Sequence, residues 1–241
     1  MSLSIIIPAF NEGDQVNYTT KKLYTVLKKI KDLEIIFIDD FSKDDTFTKL
    51  KKIERKFKII KVFKNKKKGL GPAMELGIHK SRKENVCFFM CDLSDDVNDI
   101  LKYHKCITKD PKLDAVFGSR FLKKSKIINY PYPKLLLNRI ANNFIKILFF
   151  SNYNDFTNAF KLYRRKTLLK LFPIVSENFN VFLEIPLKVI VRKYNYKIVS
   201  INWFGRKIGY SKFRIKEIGS MYIFTMLYCL LEKLLLKKKI K

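Results

Sequence analysis

Carboxylates are scarce in this chain: 22 Asp and Glu stand against 50 Lys and Arg in 241 residues, a formal net charge of +28. Such an imbalance first suggests nucleic acid or an anionic membrane as partner. The sequence carries no nucleic-acid recognition module, so charge alone does not make it a nucleic-acid binder. Lys, Ile, Asn and Phe are abundant together while Gly and Ala are few. That is the bias of an AT-rich genome, which scatters Lys over every surface. Cysteine is also sparse. The four present, Cys87, Cys91, Cys106 and Cys229, form no Cys-x-x-Cys pair, and Cys87 and Cys91 sit in or beside an apolar strand as small buried thiols. A reducing compartment follows. The two histidines, His79 and His104, stand alone in helix-like surroundings. Long apolar runs are missing as well. Residues 221–231 are apolar, but Glu232 and Lys233 interrupt them, and a spanning helix needs roughly twenty residues. The opening "LSIIIPAF" meets "NEGD" too soon for a signal peptide. With no Gly/Ser-rich linker and no internal repeat, one compact unit is expected.

What is present is a regular alternation. Short apolar runs at residues 4–9, 34–39, 58–63, 85–90 and 114–119 alternate with amphipathic stretches at 15–30, 46–55, 71–81 and 98–109. Strands of about six residues joined through single helices predict βαβ units and a mostly parallel sheet. Right-handed crossovers then bring every strand C-terminus to one edge, where such sheets bind ligands. Each strand is followed there by a polar loop: "PAFNE", "DDFSKDD", "KNKKKGLG", "CDLSDD" and "GSRF". Caps and turns explain any one of these loops. They do not explain all five on one side, which marks a binding site. After residue 130 the pattern changes. "YPYPKLLLNRIANNFIKILFF" reads as a helix whose start is stiffened by Pro131 and Pro133. "DFTNAFKLYRR" reads as a strand with polar flanks, "FNVFLEIPLKVIV" as a helix despite Pro186, and "KIVSINWFGRKIGYSK" as a strand entering a basic loop.

The order and spacing of "IIIPAFNE", "IIFIDDFSKDDT", "KGLGPAMELGI", "CDLSDD", "GSRF", "NRIANNF", "DFTNAFKLYRR" and "GYSK" resemble the family 2 glycosyltransferases of the GT-A fold. Within that family they resemble most the polyprenyl-phosphate sugar transferases typified by dolichyl-phosphate mannosyltransferase. The resemblance covers about residues 4–212. It implies a Rossmann-like α/β GT-A domain at 1–212, with a nucleotide-binding half at 1–120 and an acceptor and sugar half at 121–212. Residues 213–241 follow as an amphipathic, interfacial helix.

The resemblance also implies roles. Pro8, Ala9, Asn11 and Glu12 wrap base and ribose, and Asp39 or Asp40 accepts hydrogen bonds from them. Gly69 and Gly71 allow close backbone approach, with the lysines of residues 66–68 near phosphate. The "CDLSDD" loop matches an Asp-x-Asp motif that holds Mg²⁺ or Mn²⁺ against the pyrophosphate, an ion that shares oxygen ligands between carboxylates and phosphates. Asp92 aligns with the second Asp, and Met90, no ligand for a hard cation, stands where the first would be. Asp92 is thus the main candidate ligand, with Ser94 and Asp95 behind it; Asp95 and Asp96 alternatively cap the next helix, and for Asp96 the cap is preferred. Arg120 and Arg139 match cations near the phosphates. Asp155 and Thr157 match a donor-side segment, although Asn158 and Ala159 replace the usual Ser-Gly and Lys161 the usual Arg. Arg206, Ser211 and Lys212 match a basic loop near the reacting phosphates.

The implied reaction inverts a hexose from a GDP- or UDP-sugar onto polyprenyl phosphate, with Asp92, Arg120 and Asp155 as its central residues. A hydroxyl acceptor would instead need a base, for which Asp155 and Glu184 are candidates. The alternatives are a transferase acting on a surface-glycan hydroxyl, or a sugar-nucleotide-binding protein that has lost catalysis. An apolar segment ending in a lysine cluster suits a peripheral contact, expected on the inner, cytoplasmic face of the membrane.

Overall fold

The computed structural model describes residues 2–206 and 215–235. Five apolar runs become parallel-sheet strands or their near neighbours: β1 (Leu3–Ala9), β2 (Leu33–Asp39), β3 (Ile60–Lys64), β4 (Asn85–Phe88) and β5 (Ala115–Ser119). Between them lie α1 (Val16–Leu27), α2 (Thr46–Lys56), α3 (Leu70–Lys80) and α4 (Val97–Lys109). The second half adds β6 (Ile127–Ile128), α5 (Tyr132–Leu148), β7 (Lys161–Arg164), α6 (Arg165–Lys170), α7 (Val181–Val191), β8 (Tyr196–Ser200), β9 (Trp203–Phe204) and α8 (Ile215–Leu235).

The main sheet has seven strands in the order β3-β2-β1-β4-β7-β5-β8, and β6 pairs with β9 in a separate ribbon. In the main sheet β7 runs antiparallel to both β4 and β5, while the other pairings are parallel. The α/β, mostly parallel sheet expected from the sequence is therefore present. Strands from residues 1–120 and from residues 121–212 share this one sheet, with β7 and β8 flanking β5.

Successive strand residues face opposite sides. Ile5, Ile7, Ile35 and Phe37 pack with Leu23, Leu50 and Tyr103 beneath α1, α2 and α4. Ile6, Ile36 and Ile38 pack with Met74, Ile78, Leu168 and Leu183 on the other side. Both faces of the central strands are thus buried, which is why their sequences are continuously apolar and do not alternate. Pro186 lies inside α7 as expected, and that helix is buried along most of its length. α8 packs on α7, with Thr225 and Cys229 fully buried.

Candidate active site

The loops after the parallel strands converge at one edge, and three groups of side chains form there. The first lies after β1 and β2. Pro8 and Ala9 end β1 in a buried position, and Ala9 is in register with Asp39. Asn11 turns the chain at φ 51°, a left-handed conformation that Asn tolerates well. Its side-chain oxygen accepts from Lys43 N at 2.7 Å, and its own N–H reaches Ser42 Oγ at 3.0 Å. Asp44 accepts from Thr46 N and Gly13 N, each at 3.0 Å, so it secures both the start of α2 and the turn after β1. Asp39 is buried and its Oδ1 has no hydrogen-bond partner among the described residues. Burial raises its pKa, against the lowering effect of Ser42. A buried carboxylate oxygen in this state suits a donor from a ligand's base or ribose.

Asp40 has a different task. Its Oδ1 accepts from Gly69 N at 2.9 Å and Asn65 Nδ2 at 2.8 Å, fastening the β3–α3 loop. Gly69 has φ 131°, a conformation L side chains rarely adopt. A Cβ at Gly71 would lie 1.8 Å from Ser176 O. The backbone that approaches these glycines is that of residues 176–177, and Gly71 N donates to Glu177 O at 2.9 Å. In the adjoining lysine run, Lys67 pairs with Glu177 on the surface. Lys68 Nζ lies 5.9 Å from the Phe10 ring centroid.

The second group answers why carboxylates gather after β4. β4 ends at Phe88, so Met90 has left the strand and is partly buried against the apolar cluster of the α3 side. Leu93 takes φ 56°, unusual for a branched side chain and a sign that the loop is held by its surroundings. β9 does the holding: Phe204 N donates to Ser94 O at 2.8 Å and Trp203 bridges to Asp95. Two residues later Arg206 donates to Glu12 Oε1 and, at 3.3 Å, to Asp92 Oδ2. Burial opposes the Arg206 charge, but Glu12 and Asp92 hold its pKa above the ordinary value. The other oxygen of Asp92 accepts from Ser94 N at 3.0 Å. Asp96 caps α4 by accepting from Asn98 N. Asp95 instead points inward, 4% exposed, with Oδ1 unpartnered among the described residues. Burial, then the neighbouring Asp92, pushes its pKa up to about 8.

These residues fit a divalent ion in one way only. Among the described residues no three His, Cys, Asp or Glu side chains gather as a metal cage. Yet Asp92 Oδ2 already faces a cation, and the orphaned Asp95 oxygen lies within its electrostatic reach. That donor set suits an ion that completes its shell with phosphate and water.

The third group is built from the second half. Arg120 is 7% exposed and forked onto Asp155, with Nε to Oδ2 at 2.9 Å and Nη2 to Oδ1 at 2.6 Å. The Arg120 backbone N–H also donates to Asp155 Oδ2 at 2.8 Å. Burial acts against the guanidinium charge, but Asp155 outweighs it and raises the pKa. Both Asp155 oxygens are thereby engaged, so this carboxylate positions Arg120. Arg139, on α5, lies 4.4 Å from the Phe121 ring centroid; Arg120 lies 5.3 Å from the same ring. One Arg139 nitrogen, Nη1, is buried with no hydrogen-bond partner among the described residues. The "NRIANN" and "DFTNAF" segments are tied directly: Asn142 Oδ1 accepts from Phe156 N at 2.5 Å, and Asn138 donates to Thr157 Oγ1 at 2.9 Å.

Asp95 lies within electrostatic reach of Arg120 and Asp155, which joins the second and third groups into one charged network. Lys161 belongs to it too. Its Nζ is buried within electrostatic reach of Asp155 and donates to Phe156 O and Asn158 O. Burial lowers its pKa to about 7 despite Asp155. Glu184 stands apart: it is fully buried, paired with Lys188, and accepts from Val175 N and Ser176 N. It is a packing residue of α7. Ser211 and Lys212 lie outside the described residues. Phe121, Tyr130, Asn65 and Asn142 carry no site signal in their residue types, and only the tertiary structure brings them to Arg120, Arg139, Asp40 and the Phe156 backbone.

Known proteins resemble this chain in sequence and in fold. A dolichol-phosphate mannosyltransferase of Pyrococcus furiosus is 27% identical over 90% of this chain, which spans 61% of that protein's length. A polyprenol monophosphomannose synthase of Mycolicibacterium smegmatis is 22% identical over 86% of this chain and 79% of its own. Glucosyl-3-phosphoglycerate synthase from Mycobacterium tuberculosis, solved with Mn²⁺, UDP and phosphoglyceric acid, shares the fold. Its TM-score is 0.72 at 16% identity, covering 95% of this chain and 78% of the other. The family model for glycosyl transferase family 2 matches residues 4–172, the span that carries most of the converging loops, and the chain belongs to that family.

Proposed function

We propose that the chain moves a hexose from a nucleoside diphosphate sugar, GDP- or UDP-linked, to a polyprenyl phosphate, inverting the anomeric carbon. The observation that carries this reading is the pair of guanidiniums on Phe121: Arg120 fixed by Asp155, and Arg139 with a buried N–H that has no partner among the described residues. A buried cationic N–H is best satisfied by an anionic oxygen, and Arg forks suit phosphate. The names of the two relatives, a dolichol-phosphate mannosyltransferase and a polyprenol monophosphomannose synthase, support a lipid phosphate as acceptor.

The acceptor phosphate is an anion near neutral pH, so one of its oxygens attacks the anomeric carbon without a general base. The new carbon–oxygen bond forms as the bond to the nucleoside diphosphate breaks, and negative charge moves onto the departing diphosphate. Cations already in place favour that shift because they need no reorganisation. Arg120, positioned by Asp155, and Arg139 serve the phosphates. Asp39 takes donors from base or ribose, and Pro8, Ala9, Asn11 and Glu12 line the same end. Asp92, with Ser94 and Asp95 behind it, would hold Mg²⁺ or Mn²⁺, which supplies positive charge to the diphosphate. Arg206 adds positive charge beside Glu12 and Asp92, and Ser211 and Lys212, outside the described residues, act on the phosphates as the family resemblance implies. No helix among the described residues is long and apolar enough to cross a membrane, and residues 213–241 serve as a peripheral contact on the inner face of the cytoplasmic membrane.

The test is incubation with labelled nucleotide sugars and short polyprenyl phosphates, followed by extraction of the lipid phase. Label in the lipid phase is expected. Label only in a soluble saccharide would favour a hydroxyl acceptor, and binding without turnover of any donor would favour a sugar-nucleotide-binding protein.

A further inference from the structure

Arginine is scarce in this chain, nine residues against 41 lysines. Three of the nine, Arg82, Arg164 and Arg165, line a single cavity of about 480 Å³, together with Lys83, Lys166 and Glu84. Scattered surface lysine does not produce that concentration. The cavity lies at the sheet edge opposite the active site. Residues 82–84 lead into β4, which runs toward the Asp92 loop, and Arg164 ends β7, which arrives antiparallel from the Asp155 side. Its volume falls in the range of small-molecule sites, about 300–1,000 Å³.

The backbone that carries these cations is fixed. Arg165 N donates to Glu84 O and Arg164 N to Asp114 O, each at 2.8 Å, which ties the end of β7 to the starts of β4 and β5. Arg82 N donates to Glu34 Oε1 at 2.6 Å. The buried Arg164 guanidinium is committed to the fold: it donates to Glu84 Oε1 at 2.6 Å and to Ile107 O and Leu113 O, each at 3.1 Å. Arg165 is half-buried, and its Nε donates to Ser81 Oγ at 3.2 Å, which orients the guanidinium. Glu84 is paired with Arg164 and Asp32 with Lys83, so Arg82, Arg165 and Lys166 have no ion pair among the described residues. Three cations without a carboxylate line one cavity, and like charges brought together repel until an anion joins them. Guanidinium forks beside an ammonium suit phosphate oxygens.

We propose that this cavity is a second anion site, separate from the catalytic one, and that it takes a small molecule bearing a diphosphate. One phosphate monoester carries a charge of only about −1.5 to −2, and two linked phosphates match three uncompensated cations more closely. The bound anion braces the junction of β4, β5 and β7, the strands that lead to the Asp92 loop, Arg120 and Lys161. Binding to the folded chain alone stabilises it by mass action.

The experiment uses the full chain with inorganic pyrophosphate as the probe, at physiological ionic strength and in excess chelator so that no divalent cation contributes. Three proteins are compared: wild type, a cavity variant (Arg82→Ala with Lys166→Ala) and a charge-matched variant on α1 (Lys21→Ala with Lys22→Ala). All four side chains are exposed, so folding should be retained, and thermal unfolding without ligand checks it. Calorimetric titration should show one equivalent of pyrophosphate that wild type and the α1 variant bind alike. The cavity variant should bind that equivalent at least about tenfold more weakly, the scale of losing one hydrogen bond to a charged group. Pyrophosphate should also raise the melting temperature of wild type more than that of the cavity variant. Equal stoichiometry and affinity in all three proteins would overturn the proposal, since any binding would then belong to the active site. So would a wild type that binds no pyrophosphate, or equal weakening in both variants, which would reduce the effect to net charge.

Discussion

Asp92 is held between two demands: one oxygen stabilises its own loop through Ser94 N, and the other faces the Arg206 guanidinium. Replacing it with Asn removes the charge and leaves much of the loop geometry. Asp92→Asn should lower turnover about a hundredfold, the scale of losing one contact in a preorganised site. Near-normal rates, or full activity in excess chelator, would contradict that role. Met90→Asp is the converse: it should lower the Mg²⁺ or Mn²⁺ concentration needed for half-maximal activity, read from a metal titration. Lys161 gives a pH test. Burial depresses its folded pKa to about 7, below the ordinary 10.5 that it has in an unfolded chain. Between those values the unfolded chain binds the extra proton, so stability rises with pH from about 7 to about 10 and the gain is absent below 7. Lys161→Met should remove this rise, measured as the difference in unfolding free energy between the two proteins across that range. A parallel pair of profiles would show that the amine stays charged. The neutral amine still has two N–H groups for Phe156 O and Asn158 O. At this scale the sequence was partly legible. The Asp96 cap and the Asp44 turn depend on neighbours two residues away. The Arg120–Asp155 fork and the Arg206 bridge join residues 35 and 114 apart, respectively. No local pattern encodes such pairings.

The elements that frame the site are fixed by close backbone approach. At the start of α3, Gly71 meets the 176–177 segment, and any side chain there collides with backbone that cannot rotate away. Gly71→Ala should destabilise the fold by about 1–3 kcal/mol, the usual range for overpacking, visible as a lower urea midpoint with an unchanged slope. An unaltered midpoint would mean that the segment yields easily. The glycine was legible as a point of close approach. What approaches it was not, because residues 176–177 reach α3 from more than a hundred positions away in the chain. Helix and strand positions were legible almost throughout, since both faces of the central strands are buried and their apolar runs stand out. The strand ends shifted where local pattern gives out: β4 stops at Phe88, and β3 begins at Ile60.

For the molecule as a whole, the strand that matters most is β7, inserted antiparallel between β4 and β5. It binds the two halves of the chain into one sheet and carries Lys161 and the preceding Asp155 loop to the edge where the first-half loops converge. The alternation of strands and helices implied a parallel sheet, but strand order depends on long-range pairing that periodicity does not record. Net charge was similarly ambiguous alone. A total of +28 does not say which surfaces carry it, and only the folded arrangement of the lysines does. The proposed transfer requires that an anionic lipid oxygen, and not a hydroxyl, attacks the sugar. Phosphorus NMR of a short-chain polyprenyl phosphate mixed with enzyme, divalent cation and the matching nucleotide sugar tests it most directly. The monoester resonance should convert to a diester resonance in step with release of nucleoside diphosphate. A monoester resonance that stays unchanged while a soluble saccharide is glycosylated and the donor consumed would contradict the account.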